Sequence, residues 1–151
     1  MWIYKDKEYS KFEEFEDPKV IGFIYMITQI STNKKYIGRK MFMDTRTKTI
    51  KGKKKKIKTE NDWSDYWSSS DTIKELVKEV GEQDFKKEIL TLVYSKGMMT
   101  YLEEFALYYV GSLESDEWFN NNIRSKVYRS WVKPEETKEL REKLENMKGI
   151  L

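Results

Sequence analysis

Hydrophobic residues along the chain follow two spacings, one typical of strands and one typical of helices. Val20 to Thr28 is rich in β-branched and aromatic residues, and Lys35 to Gly38 is a second short apolar segment. The polar stretch between them, Ser31-Thr32-Asn33, is typical of a turn, so we predict a β-hairpin. Phe85 to Tyr94 is predicted to add a third strand. Its nearly continuous apolar run, Ile89 to Val93, is typical of a central buried strand.

Helical spacing predicts two helices in the same part of the chain. The first covers Thr72 to Val80, with Asp71 as the expected N-cap and Gly81 as the stop. The second covers Met99 to Leu113. Its predicted buried stripe consists of Leu102, Phe105, Ala106, Tyr109 and Leu113.

Two glutamates in the second helix receive different predictions. At about 100° per residue, Glu103 lies beside the apolar stripe and Glu104 points away from it. We therefore expect Glu103 to be held at the rim of the core and Glu104 to face solvent.

A final helix is predicted to begin at Pro134, a residue that is favoured at the first position of helices. Its apolar residues form a narrow seam: Leu140, Leu144, Met147 and Leu151. This seam either docks on its own domain or forms a homodimer contact, and the sequence leaves both readings open.

Together these elements predict a small α/β (α+β) domain. An antiparallel three-stranded sheet is flanked by helices and followed by a C-terminal helix. We place the domain at residues 1–131 and a C-terminal helical extension at residues 132–151. Arg39 to Ser70 has no regular apolar period, so we expect irregular structure there, including a basic loop over residues 46–58.

The amino-acid composition excludes several classes of protein and of catalytic or metal site. The chain has 151 residues, no cysteine and no histidine, which excludes disulfide frameworks, zinc ribbons, cysteine nucleophiles and histidine-based acid–base catalysis. The longest apolar run, Val20 to Ile27, is too short to cross a membrane, and the N-terminus does not resemble a signal peptide. We therefore expect a cytoplasmic protein with no membrane contact.

Charge is distributed unevenly along the chain. The net charge is only +3, but lysines and one arginine are concentrated between residues 46 and 58, and such a local field favours polyanions. Serines and aromatics at Trp67-Ser68-Ser69 would suit phosphate oxygens and bases, or would cover an edge of the core. The predicted DNA-binding residues are Arg39, Lys40, Lys48, Lys51, Lys53, Lys54, Lys55, Lys56, Lys58, Trp67, Ser68 and Ser69.

Each predicted hairpin strand carries one tyrosine. If the connection is an even-numbered loop centred on Ile30 and Ser31, Tyr25 and Tyr36 face each other, with Cβ atoms about 5 Å apart. Taken alone, the two tyrosines are more typical of ordinary aromatic residues at the edge of a core than of a catalytic pair.

The sequence around these two tyrosines resembles a known family motif. Ile24-Tyr25 and Tyr36-Ile37-Gly38 resemble the paired motif of the GIY-YIG nuclease family, with the family's ordinary gap between them. The flanking sequences, GFIYMIT and KKYIGRK, are similar to those of phage-encoded, homing-endonuclease-like members. The first glycine of the motif falls on Phe23, and Gly22 comes one place early. The start of this strand is therefore expected to be shifted or bulged.

The resemblance implies a GIY-YIG-type domain with catalytic residues at Tyr25, Tyr36, Arg46, Glu103 and Asn120. In this interpretation Tyr25 is the general base or passes the proton on, which requires a nearby cation or metal to lower its pKa. Tyr36 would orient the water or donate to a phosphate oxygen. Asn120 is expected to bond backbone beside the site.

Three further expectations follow from the resemblance. Arg46 would stabilise the transferring phosphate, and Arg39 or Lys40 could do so instead. Glu103 would hold Mg²⁺ (or Mn²⁺) together with water and a substrate oxygen. Many members also carry a histidine or second hydroxyl near the arginine; here Lys40 or Tyr66 would fill that position.

These observations predict a metal-dependent endonuclease that nicks or cleaves duplex DNA. The alternative is a non-catalytic nucleic-acid-binding module that uses the lysine-rich segment, with the hairpin serving only as scaffold.

Overall fold

The chain is built on a five-stranded mixed sheet with the strand order β2-β1-β7-β3-β4. The computed structural model describes residues 1–124, 127–131 and 133–147. Its strands are β1 (Trp2–Tyr4), β2 (Lys7–Tyr9), β3 (Gly22–Gln29), β4 (Lys35–Met41), β5 (Met43–Ile50), β6 (Lys53–Glu60), β7 (Phe85–Val93), β8 (Asn122–Ile123) and β9 (Val127–Tyr128). Its α-helices are α1 (Asp71–Val80), α2 (Lys96–Tyr109) and α3 (Pro134–Met147). Among the described residues, no helix is long and apolar enough to cross a membrane.

The prediction of a three-stranded antiparallel sheet is wrong. Strands β4, β3 and β7 do pair antiparallel, but the N-terminal hairpin of β1 and β2 extends the sheet. β1 joins β7 in parallel, with Ile3 opposite Glu88. A three-residue strand carries too little pattern to reveal a partner far along the chain, so the sequence did not show this pairing.

Alternation along β3 divides the core between the two faces of the sheet. Phe23, Tyr25 and Ile27 pack on one face, with residues of α1. Ile24 packs on the other face, against Met99 and other residues of α2. The sheet is therefore covered by a helix on each side.

The start of the motif strand is not itself shifted or bulged, and the irregularity lies in the partner strand β7. Gly22 begins β3, and its register with β4 is regular. Against β7, Ile24 pairs with Thr91 and Tyr25 with Ile89, which leaves Leu90 as the extra residue of a bulge.

Both predicted helices of the core exist, with shifted ends. α1 begins at Asp71, and its N-cap is Ser70, whose hydroxyl accepts a bond from the amide of Ile73 at 3.4 Å. α2 begins at Lys96, after an N-cap at Ser95. The N-cap prediction of Asp71 is therefore wrong by one residue.

The apolar stripe predicted for α2 is only partly correct. Phe105 and Tyr109 are exposed, whereas Met99 and Leu107 are the residues that α2 buries in the core. The side that meets the sheet runs through Met99, Leu102, Ala106 and Leu107. At about 100° per residue, this leaves Phe105 and Tyr109 beyond one margin of it.

The basic segment is not the irregular loop expected over residues 46–58. β5 and β6 form a separate two-stranded sheet, closed by a turn at Lys51 and Gly52 with φ of 51° and 75°. Two residues with positive φ are typical of a type I′ hairpin turn, whose twist matches the strands. Apart from Met43 and Ile57, every residue of the two strands is exposed, so no apolar alternation marked them in the sequence.

The final helix begins at Pro134, as predicted, and continues to Met147. The side-chain contacts of its seam, including Leu151, lie outside the described residues. The C-terminal extension and a homodimer through this helix stay predictions.

Candidate active site

The two signature tyrosines lie on one face of the sheet as diagonal neighbours. In the hairpin, Tyr25 pairs with Gly38 and Tyr36 pairs with Ile27, and the tyrosine ring centroids are 6.3 Å apart. The prediction that Tyr25 and Tyr36 directly oppose each other is therefore wrong. The connection is longer and shifted, because the amide of Gln29 donates to the carbonyl of Lys34.

Gly38 leaves room for the phenol of Tyr25. A Cβ atom added at Gly38 would overlap the phenol oxygen and ring of Tyr25. The Tyr25 hydroxyl therefore lies across β4, the strand that forms one edge of the sheet. The glycine of the motif is required by this close approach.

Burial controls the protonation of both phenols. Tyr25 is 1% exposed, and burial raises its pKa well above 10, with Tyr36, Tyr66 and the charge of Glu103 adding to the effect. Burial also raises the pKa of Tyr36, partly offset by its 3.5 Å contact with the hydroxyl of Ser69. Burial thus keeps both phenols protonated at neutral pH, and a lowered pKa at Tyr25, as a tyrosine base requires, stays a prediction that depends on a bound metal.

Glu103 reaches the same edge of the sheet from the opposite face. It lies on α2 between Met99 and Leu107, and its side chain is 16% exposed. Burial raises its pKa, while Arg39 opposes this effect. Because the charge of Glu103 also raises the pKa of Tyr25 and Tyr36, the carboxylate and the two phenols share one local field.

Arg39 is the arginine beside this carboxylate. Its Nε lies 3.9 Å from Oε1 of Glu103, and its Nη1 donates to the hydroxyl of Thr100 at 2.9 Å. Arg46 lies instead on β5, opposite Ile57 and exposed, and forms no salt bridge with any described residue. The structure thus brings Arg39, and not Arg46, to Glu103.

Lys40 occupies the tyrosine face of β4, as alternation requires. Its ammonium lies 4.1 Å from the ring centroid of Tyr66 and 3.0 Å from a carboxylate oxygen of Asp62. Tyr66 packs edge-on against Tyr25, with ring centroids 6.1 Å apart. Lys40 and Tyr66, the two candidates for the family's histidine position, therefore both border the tyrosine pair.

The Trp67-Ser68-Ser69 segment does not present all three side chains for DNA binding. Ser68 is fully buried with φ of 78°, and its hydroxyl accepts a bond from the amide of Ser70, so its expected DNA contact is wrong. Trp67 packs against Phe85 at a ring distance of 5.9 Å and covers the core edge. Ser69 is exposed beside Tyr36 and stays a candidate.

Asn120 holds the backbone between the signature residues. Its Oδ1 accepts a bond from the amide of Ile37 at 3.1 Å, and its Nδ2 donates to the carbonyl of Ile37 at 2.9 Å. The buried Asn120 thereby satisfies both outward backbone groups of an edge strand. This is the backbone-bonding geometry expected for it.

Two supporting residues were not singled out from the sequence. The guanidinium of Arg129 donates to four carbonyls, those of Ser112, Ser115, Trp118 and Asn120, and so fixes the segment that carries Asn120. A lone arginine after the core carries no sequence signal of this role.

Lys87 is the second supporting residue, buried on β7. Its ammonium donates to the carbonyls of Ser64 and Tyr66 at 3.2 and 2.8 Å, and lies 4.4 and 4.5 Å from the rings of Trp2 and Trp67. Burial lowers the pKa of Lys87 to about 8, so it is charged at neutral pH. Through these bonds Lys87 holds the backbone of Tyr66 in place.

The donor groups fit a weakly held hard cation and do not form a closed metal cage. The described residues contain no cluster of three or more acidic side chains that could enclose an ion. Glu103 offers one carboxylate at the edge of the site, and Mg²⁺ commonly binds through one carboxylate while keeping water and substrate oxygens. A single-carboxylate site of this kind is consistent with Glu103.

Comparison with known proteins identifies the family. A family model described as "Putative endonuclease segE, GIY-YIG domain" matches residues 2–123, most of the chain. The comparisons with curated proteins and with solved structures found no match. Membership of this family implies nuclease activity with DNA as the substrate. The resemblance noted in the tyrosine motif is thus confirmed, and the chain belongs to the GIY-YIG endonuclease family, among its phage-type members.

Proposed function

We propose that this protein is a metal-dependent endonuclease that hydrolyses phosphodiester bonds of duplex DNA. The observation that carries the proposal is geometric. Tyr25 and Tyr36 lie with ring centroids 6.3 Å apart on the β3–β4 hairpin, where Gly38 leaves the phenol of Tyr25 room, and Arg39 of the same edge strand lies 3.9 Å from Glu103. Hydrolysis needs an activated water, stabilisation of the charged transition state and a proton for the leaving oxygen. The site offers groups for each task.

Glu103 would hold the cation, and Mg²⁺ or Mn²⁺ bound there would polarise the phosphate and acidify a bound water. Arg39 would orient the carboxylate, and its guanidinium partly offsets the burial that raises the pKa of Glu103. Arg39 is 40% exposed, so it also has a face to present to a phosphate oxygen.

The phenols would move protons rather than act as free bases. Because burial raises the pKa of Tyr25, its phenol stays protonated at neutral pH. It would hand its proton to one of its neighbours, Tyr36 or Tyr66, only as it receives another from them. Tyr36 is the less buried phenol and is in contact with Ser69, which suits it to orient the water or a phosphate oxygen. We therefore assign Tyr25 to passing a proton on, and not to the role of general base.

Incubation with supercoiled plasmid and with phage genomic DNA tests the proposal. With Mg²⁺ or Mn²⁺ we expect nicked or linear products, and with EDTA we expect none. Sequencing the ends would separate nicking from double-strand cleavage and show whether cleavage has a preferred site. Intact DNA under all metal conditions would contradict the proposal.

A non-catalytic nucleic-acid-binding module is the second candidate. It is favoured by the basic β5–β6 hairpin, whose cationic side chains form no ion pair with described residues and are exposed. Binding survives EDTA under both hypotheses, whereas metal-dependent products exist only under the first. Incubation of plasmid DNA with the metal and with EDTA therefore separates the two hypotheses.

A further inference from the structure

The hairpin of β5 and β6, here called the arm, has two chemically different faces. Strand register places three threonines opposite three lysines on one face: Thr45 with Lys58, Thr47 with Lys56, and Thr49 with Lys54. We call this the threonine face. The other face pairs Arg46 with Ile57, Lys48 with Lys55, and Ile50 with Lys53.

Within the part of the chain that the structure describes, the side-chain hydrogen bonds between the arm and the core lie at the root of the arm. The carboxylate of Glu60 accepts bonds from the indole of Trp63 at 2.8 Å and from the amide of Phe12 at 3.0 Å. Asn61 donates to the carbonyl of Met41 and to the carboxylate of Asp44, both at 3.0 Å. These bonds fix the point at which the arm leaves the domain, and the rest of the arm projects from that point.

Positive charge is concentrated in the outer part of the arm, beyond Asp44 and Glu60 at its root. Between residues 46 and 58 the sequence has eight cationic and no acidic side chains. Lys48 and Lys55 stand directly opposite each other, which is an unfavourable cross-strand pair. An isolated two-stranded ribbon with exposed faces is only marginally stable, so its charge and shape point to a polyanionic partner.

We propose that the arm lies in the major groove of duplex DNA with its threonine face toward the base pairs. The proposal rests on the proposed function for its choice of DNA. The major groove, about 12 Å wide, admits a two-stranded β-ribbon. Lysines on the arm would meet the phosphates along both walls of the groove.

The threonine face is the one suited to read base edges. Threonine hydroxyls donate and accept hydrogen bonds, and threonine methyl groups contact the methyl group of thymine. The opposite face is divided between two isoleucines, Ile50 and Ile57, which cannot hydrogen-bond bases, and four cations. The cations, suited to phosphates, are Arg46, Lys48, Lys53 and Lys55. Thr45 to Thr49 spans about 14 Å, which corresponds to about four base pairs. An ordered ribbon thus supplies the defined geometry that a disordered lysine run would lack.

Selection of duplexes from a randomised library tests this inference with the full-length protein in EDTA, so that cleavage does not enter the readout. The test variant replaces Thr45, Thr47 and Thr49 by valine, which keeps shape and strand propensity but removes the hydroxyls. The matched control replaces Lys48 and Lys55 by glutamine on the other face. Alkylation of guanine N7, a major-groove atom, maps the contact in parallel.

We expect the wild type to select a short motif and to protect guanine N7 within it. The valine variant should lose about ten-fold or more of its preference for that motif, with an unchanged salt dependence. The glutamine control should keep the motif, while its salt slope falls by about 0.9 for each lost phosphate contact.

An unchanged motif in the valine variant, no motif in the wild type, or no N7 protection would overturn the inference. Because binding is read without cleavage, these outcomes are independent of whether the protein proves to be a nuclease. A protein that binds through the threonine face yet never cleaves would contradict only the proposed function.

Discussion

At the scale of single residues, the site depends on which arginine serves the phosphate. The position expected for the catalytic arginine, Arg46, lies on the arm, whereas Arg39 lies 3.9 Å from Glu103. Arg39 directly follows the motif glycine, and strand alternation turns its side chain to the α2 face. Spacing along a sequence cannot distinguish these two positions, because it assumes that the intervening backbone is the same as in relatives.

Arg39→Ala is expected to lower the cleavage rate by about 10²-fold or more, since it removes a charge that stabilises the transition state. Arg46→Ala is the matched control and should weaken DNA binding with little change in the single-turnover rate at saturating DNA. Rates measured for both variants check this. A larger rate loss in Arg46→Ala than in Arg39→Ala would show that Arg46 is the catalytic arginine.

The raised pKa of Glu103 predicts an acid limb in the pH profile. A proton and Mg²⁺ compete for the same carboxylate, so cleavage at low Mg²⁺ should fall as pH drops through this pKa, which lies above the usual 4.5. High Mg²⁺ should shift the limb to lower pH. Initial rates from pH 5 to 8 at two Mg²⁺ concentrations measure it, and identical limbs would exclude Glu103 as the titrating ligand.

At the scale of secondary-structure elements, the edge strand β4 is held by a side chain. Asn120 pairs with both backbone groups of Ile37, and a stretch before it adds further bonds: Lys35 donates to the carbonyl of Glu117, and Phe119 donates to the carbonyl of Lys35. Tyr36 and Gly38 flank Ile37, so Asn120 positions the strand that carries the motif.

Asn120→Ala should lower the free energy of unfolding by about 2–3 kcal/mol, because it leaves two buried backbone groups without partners. Asn121→Ala is the control: this side chain is exposed, and its loss should change stability by less than about 0.5 kcal/mol. Urea unfolding of both variants gives the comparison. Equal stability of the two variants would contradict the positioning role of Asn120.

Elements with strong apolar patterns were predictable from the sequence, and elements with polar patterns were not. β3, β4, β7, α1 and α2 were predicted because each buries an apolar face in the core. The arm was taken for a loop, since its Thr and Lys residues form strands without burying any apolar face. Lys87 and Arg129 were missed because their partners are backbone carbonyls, which sequence does not display.

For the residues of the site, too, some properties are predictable from the sequence and others only from the fold. The resemblance points to Glu103, and helical spacing prefers it over Glu104 even though the predicted stripe around it is partly wrong. The identities of Tyr25 and Tyr36 came from the motif, but their raised pKa values come from burial that only the fold reveals.

At the scale of the whole molecule, the domain has two separable parts, a core with the tyrosine site and a projecting arm. The arm joins the core at the pair of Met43 and Glu60, and its exposed strands add almost no burial to the core. Binding affinity and chemistry should therefore be separable by deletion.

Replacing Thr45–Lys58 by a Gly-Gly turn should leave the melting temperature nearly unchanged, because the root bonds at Glu60 and Asn61 remain. DNA affinity and its salt slope should both fall, while cleavage at saturating DNA persists. Thermal melts, binding at several salt concentrations and single-turnover rates check these results. A deletion that unfolds the core would show that the arm is part of it.

The most direct test of the catalytic site compares single-turnover cleavage by the wild type, Tyr25→Phe and Glu103→Gln, with DNA affinity measured in EDTA. Removing the phenol hydroxyl or the charged carboxylate should lower the rate by about 10²- to 10⁴-fold while affinity stays within a few-fold of the parent. Glu103→Gln should also fold at least as stably as the parent at neutral pH, since ionising a buried carboxyl opposes folding. Variants that cut as fast as the wild type would contradict the central claim that the phenols and Glu103 form one active site.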